Sequence, residues 1–187
     1  MKSLRSLHMS REKLVIQLLN LFRQYGYEGV SLAQISQVTG LGKASLYHHF
    51  PGGKEEMAQA ALDYIDDWLE ANILQLLGSN TTPQARLKAM LDKVGVFYDE
   101  GRKSCLWAVL TLEQSSDRFH THIKQALTRW IDVMVEVLKE TGLNEVQAKY
   151  RAEEVIIKIQ GALVLARALN NTTIFTRTIN EICRDVP

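Results

Sequence analysis

Interruptions are scarce in this chain, and that scarcity constrains its fold more than any other feature. Its 187 residues hold three prolines and eleven glycines. The breaks fall at Gly26–Gly29, Gly40–Gly42, Pro51–Gly53, Gly78–Asn80, Gly101, Gly142 and Asn170–Asn171. Between them apolar residues recur at three- and four-residue intervals, which aligns them on one face of an α-helix. Segment 10–25 places Val15, Leu18, Leu19, Phe22 and Tyr25 together, with Ser10 as N-cap and Gly26 as stop. Segment 31–39 starts at Ser31 and turns Leu32, Ile35 and Val38 inward. A short helix over 43–49 ends before Pro51, because the residue preceding a proline disfavours the helical region. A long helix over 54–77 carries Met57, Ala61, Leu62, Ile65, Trp68, Leu69 and Ile73. Further helices are expected at about 83–100, 104–115, 117–140, 144–170 and 172–184. No run alternates apolar and polar residues long enough for a strand, so the expected fold class is all-α.

Composition matters chiefly for charge. The net is only +1, but residues 1–54 hold seven Lys/Arg against two Glu, a local net of +5. The other 133 residues carry 15 basic and 19 acidic groups, a net of −4. A basic beginning on an acidic remainder points to a polyanion met at one end. Cys105 and Cys183 are too few for a disulfide scaffold. No apolar run approaches the roughly 18 residues of a membrane span, and the N-terminus lacks a signal-peptide block. A cytoplasmic location with no membrane partner is expected.

Residues 31–50, SLAQISQVTGLGKASLYHHF, are laid out as a helix-turn-helix. Gly40 supplies the tight turn through positive φ, and Leu41 and Leu46 bury the second helix against the first. That helix exposes Lys43, Ala44, Ser45, Tyr47 and His48, donors and small groups able to enter a major groove about 12 Å wide. The same spacing also suits a plain helical hairpin closed by a glycine.

Residues 10–58 resemble the DNA-binding domain of the TetR family of bacterial repressors. The resemblance rests on Phe22…Gly26-Tyr27, Ser31-Leu32…Ile35, Thr39-Gly40-Leu41 and the closing Leu46-Tyr47-His48-His49-Phe50. The run from Phe50 through Pro51-Gly52-Gly53-Lys54 is similar to the LmrA/YxaF-like branch. Three departures stand out: Ser36 in place of the usual Ala, Gly42 in place of a capping Ser or Thr, and a longer Pro51–Gly53 loop. The resemblance implies a helix-turn-helix domain over 1–53 and a helical ligand-binding and dimerisation domain over 54–187, joined by a long helix. It implies that Lys43, Ala44 and Ser45 face base edges or phosphates. Tyr47, His48, His49 and Lys54 would meet phosphates, as would Ser31 and the Leu32 amide. The expected partners are double-stranded operator DNA, a second copy of the chain and a small hydrophobic or aromatic inducer.

For the remainder only periodicity speaks. Val155, Ile159, Ala162, Leu163 and Ala166 form a broad apolar stripe that continues in Phe175 and Ile179. Such a stripe suits an internal core, and the resemblance implies instead a four-helix interface with the same helices of a second copy. Trp68, Met90, Phe97, Trp107, Trp130 and Met134 suit a flat apolar ligand, with Thr111 and Gln114 as orienting hydrogen-bond groups. Phe119 belongs to the same aromatic set.

Catalytic signals are poor. His120 and His122 are two apart and point to different helix faces, a weak metal pair. Asp63, Asp66 and Asp67 read as a solvated face, and Cys105 as a small buried side chain. No Walker, nucleophile-elbow or dinucleotide motif is present. No cofactor, metal or enzymatic activity is expected. Two other readings stay open: a small helical enzyme or binding protein with a structural hairpin, and a ligand-blind nucleoid or activator protein.

Overall fold

The computed structural model describes residues 10–113 and 116–185. Every regular element among them is helical. Helix α1 (Arg11–Tyr25) starts at Ser10, whose Oγ accepts the Lys13 N–H at 3.3 Å, and stops at Gly26 with φ +74°. It buries Leu14, Val15, Leu18, Leu19, Leu21, Phe22 and Arg23. Tyr25, expected on this face, is 48% exposed. Helix α2 (Leu32–Thr39) opens with a capping box between Ser31 and Gln34.

At the end of α2 the expectation for Val38 fails: it is exposed, and Thr39 turns inward instead. Thr39 closes the turn, its hydroxyl donating to the Ile35 carbonyl at 2.7 Å and accepting the Leu41 N–H at 3.3 Å. Helix α3 (Lys43–His49) follows, anchored by Leu41, Leu46 and Phe50 in the common core.

Helix α4 (Gly53–Leu69) packs against α1 and carries the chain away from this N-terminal bundle. It continues through a π-helical turn, Glu70–Leu74, into a last α-turn, Gln75–Leu77. The buried side runs on from Leu62, Ile65 and Leu69 through the π-helical turn to Ile73, Leu74 and Leu77.

The C-terminal bundle comprises α5 (Pro83–Phe97), α6 (Leu106–Thr111), α7 (Ser116–Lys139), α8 (Glu145–Ala168) and α9 (Thr173–Arg184). Its most extensive pairings are α7 with α8 and α8 with α9. Arg86 is buried and ties the end of the α4 rod to α7, donating to the Leu77 carbonyl at 2.9 Å and pairing with Glu140. Among the described residues, no helix is long and apolar enough to cross a membrane.

Candidate nucleic-acid interface

The two helices of the hairpin are held at a fixed angle by a short glycine turn. Gly40 sits at φ +69°, ψ 9°, the left-handed conformation that a side chain disfavours. The Ser36 hydroxyl donates across the turn to the Leu41 carbonyl, so this substitution of the usual Ala braces the turn. Gly42 gives α3 no side-chain cap, in line with its lack of a hydroxyl.

With Leu41, Leu46 and Phe50 drawn into the core, the opposite face of α3 presents Lys43, Ala44, Ser45, Tyr47 and His48 to solvent, and His49 is half-buried. The Lys43 Nζ lies 5.9 Å from the centre of the Tyr47 ring, which is 39% exposed. Gly53, at φ +70°, leaves room behind that ring; a Cβ there would come within 3.5 Å of it. The His48 and His49 rings meet edge to face at 5.7 Å. Helix α3 contains no acidic residue. Its outer face is therefore a compact row of donors with no counter-charge of its own, able to meet phosphates and acceptor-rich base edges.

Three further residues expected to meet phosphates lie at the starts of α2 and α4. Lys54 turns inward: its Nζ donates to the Tyr27 carbonyl at 2.9 Å and to the Val30 carbonyl at 3.1 Å. It also lies 4.3 Å from the Tyr27 ring centre. Two of its three donors are thus spent clasping the loop between α1 and α2, which leaves one for the expected phosphate contact. The Ser31 hydroxyl is exposed but engaged with Gln34, accepting its N–H at 3.2 Å and donating to Oε1 at 2.9 Å. The Leu32 side chain packs partly against the core.

The N-terminal bundle is tied to the C-terminal one by residues that sequence reasoning missed. The Glu113 carboxylate accepts the Tyr27 N–H at 2.9 Å. Arg23 leaves α1 buried and stacks on Phe97, 4.4 Å from its ring centre. Phe97 in turn stacks on Trp68 at 3.9 Å. Arg167 of α8 reaches the Gln24 carbonyl at 3.4 Å and the Ser104 hydroxyl.

The aromatic set expected to hold a ligand splits in two. Trp68 and Phe97 belong to this junction. Trp107 and Trp130 meet edge to face at 6.4 Å, and Trp130 Nε1 donates to the Met90 Sδ at 3.3 Å. Met90, Trp130, Met134 and Phe119 are fully buried core. Trp107 and Thr111 line a cavity of about 270 Å³ with Ala108, Leu127, Ile156 and Gln160. The buried Trp107 indole N–H has no hydrogen-bond partner among the described residues. Gln114 lies outside the described residues.

The chain's own packing covers the residues expected at a dimer interface. Val155, Ile159, Ala162, Leu163, Ala166, Phe175 and Ile179 are all buried within the one chain, where α7, α8 and α9 pack together. The large apolar positions that α8 and its end leave in solvent are different ones: Val146, Tyr150, Ile157, Val164, Leu165 and Leu169. Gly161 lies among them, and a Cβ there would touch nothing within 4 Å.

His122 contacts Gln59 at 2.9 Å and Asp66 at 3.1 Å, while His120 is exposed. Burial raises the Asp66 carboxyl above its ordinary range, a shift that the nearby His122 opposes. No group of His, Cys, Asp and Glu among the described residues could hold a metal ion.

Comparison with known proteins agrees with this geometry. Residues 18–61 match the family described as bacterial regulatory proteins, tetR family. Residues 83–181 match the C-terminal domain of LmrA/YxaF-like transcriptional regulators. The chain is 31% identical over 168 residues to the HTH-type transcriptional regulator LmrA of Bacillus subtilis (strain 168), covering 88% of this chain and 89% of that one. It is 30% identical over 161 residues to the regulator YxaF of the same organism, covering 84% of each. The fold of a TetR transcriptional regulator from Legionella pneumophila superposes with a TM-score of 0.83 at 20% identity, over 97% of this chain and all of the other. These matches run through both the helix-turn-helix and the C-terminal bundle, and they place the chain among regulators rather than enzymes: it belongs to the TetR family of transcriptional regulators, in the LmrA/YxaF-like group, with a helix-turn-helix DNA-binding domain.

Proposed function

We propose that this regulator is a ligand-responsive repressor that binds operator DNA as a homodimer and is released by a small apolar or aromatic molecule. The observation that carries the reading is the acid-free outer face of α3, with Lys43, Ser45 and Tyr47 exposed around a buried Leu46. In this reading residues 1–53 are the DNA-binding unit and 54–187 the regulatory unit, working in the cytoplasm. Two α3 helices in successive major grooves require a pair of units about 34–36 Å apart or wider.

The exposed apolar row of α8 supports pairing of two chains through Ile157, Val164, Leu165 and their neighbours. Gly161 sits in the middle of that row with open space in front of it, which lets a second helix approach closely.

The effector reading is supported by the Trp107–Gln160 cavity. It adjoins a second apolar hollow of about 370 Å³ that shares Ala108, Leu112 and Gln160 with it.

The test is a fluorescence-anisotropy titration of the full chain against duplex DNA from upstream of its own gene, with a scrambled duplex as control. Lys43→Ala should weaken binding to both duplexes and reduce the salt slope by about 0.9, one phosphate contact. Ser45→Ala should change the preference between them. Wild-type affinity and slope in Lys43→Ala would refute the assignment of α3.

A further inference from the structure

A concave cleft of about 330 Å³ opens where α1 meets the α5–α6 loop and the end of α8. Arg23, Arg102, Lys103 and Arg167 line it, and no carboxylate among the described residues does. Of the four cations, Arg102 has an exposed partner, Asp99, at 3.4 Å. Arg167 is held by neutral oxygens of Gln24 and Ser104.

Arg23 is the decisive residue. It is 5% exposed, and its Nε and Nη2 have no hydrogen-bond partner among the described residues. Burial pushes its guanidinium below the usual arginine range. The face of Phe97 offsets part of that cost, but an aromatic ring supplies no acceptor for the N–H groups in the guanidinium plane. A buried cation without a counter-ion is unfavourable, and an anion in the adjoining cleft relieves it. The Asn20 and Gln24 amides on the same wall add neutral donors.

We propose that this cleft between the two helical bundles is a binding site for a small multivalent anion, a molecule bearing carboxylate or phosphate groups. The volume is that of a small-molecule site rather than a seat for a duplex. The cleft shares Ser104 and Arg167 with the second apolar hollow but no residue with the Trp107 cavity or α3, so its failure would leave the DNA-binding reading standing.

Isothermal titration of the full-length protein with citrate and, separately, with inorganic pyrophosphate tests it, at ionic strength held constant with sodium chloride. At least one anion should bind saturably at one site per chain. Citrate alone would assign a carboxylate ligand, and pyrophosphate alone a phosphate. The double variant Arg102→Gln/Lys103→Gln removes only exposed cations and should keep the wild-type melting temperature while binding at least about tenfold more weakly. No saturable binding of either anion overturns the proposal, as does undiminished binding by the double variant. Loss of DNA affinity in that variant with anion binding intact would make the cleft a DNA-backbone contact and overturn it equally.

Discussion

Replacing Lys54 by methionine keeps the aliphatic stem and deletes the ammonium, which separates two roles for this residue. In the structure Nζ holds the Tyr27 and Val30 carbonyls at 2.9 and 3.1 Å and lies 4.3 Å from the Tyr27 ring. Hydrogen bonds from a charged donor contribute about 1.5–3 kcal/mol each when shielded, and the ring about 0.5–1 kcal/mol. Lys54 is half-buried, so solvent screening reduces the sum to about 2–4 kcal/mol. For a chain of this size that lowers Tm by about 4–16 °C. Thermal denaturation measures it, and a salt titration of DNA affinity completes the test. The clasp predicts a lower Tm with an unchanged salt slope. A phosphate contact predicts the reverse, an unchanged Tm and a slope smaller by about 0.9. A Lys54→Met protein that melts within about 1 °C of wild type would refute the clasp.

Gly26→Ala should destabilise by about 2–4 kcal/mol in urea unfolding, since φ is +74° and the new Cβ would collide with Glu113 Oε1, displacing the carboxylate from the Tyr27 N–H. Glu113→Ala in addition should not restore the loss, because the backbone strain remains. Val164→Glu should convert a dimer into monomers in sedimentation velocity while the chain stays folded; a dimer of wild-type affinity would exclude this face of α8. Asp66→Asn tests the raised carboxyl. A folded-state value above the ordinary 3.8 means that folded protein holds the proton more tightly, so stability is lost as pH rises from about 3.8 through the raised value. The difference in Tm between Asp66→Asn and wild type should therefore grow in favour of the variant across that window and then level off.

The helices and the recognition hairpin are legible in the sequence because both rest on local rules. Ser10, Ser31 and Asn144 cap helices with side chains the sequence displays, and the apolar stripes of α1 and α4 report their buried faces. Lys43 to His48 are legible as an outer face because Leu46 and Phe50 mark the inner one. What periodicity does not separate is one burial from another. The stripe from Val155 to Ala166 is apolar whether a helix of the same chain or of a second copy covers it, and α7 and α9 cover it here. Lys54 carries a related ambiguity: a lysine opening a helix suits a phosphate, while the carbonyls that hold it lie more than twenty residues upstream. Arg23 does leave a trace. It falls four residues after Leu19, in phase with the buried stripe of α1, where a charge demands a specific partner.

The wide turn at Glu70–Leu74 bears on how relatives should be aligned. A π-helical turn holds about one residue more than the α-helical turn it replaces, and the covered side of the rod runs through it from Leu69 to Ile73 and Leu74. A related chain one residue shorter at that point would run as unbroken α-helix and bring the same two side chains, at its own positions, to the same neighbours. A single-residue gap there is structurally silent, whereas the same gap a turn earlier, between Met57 and Ile65, would rotate the remaining apolar face into water.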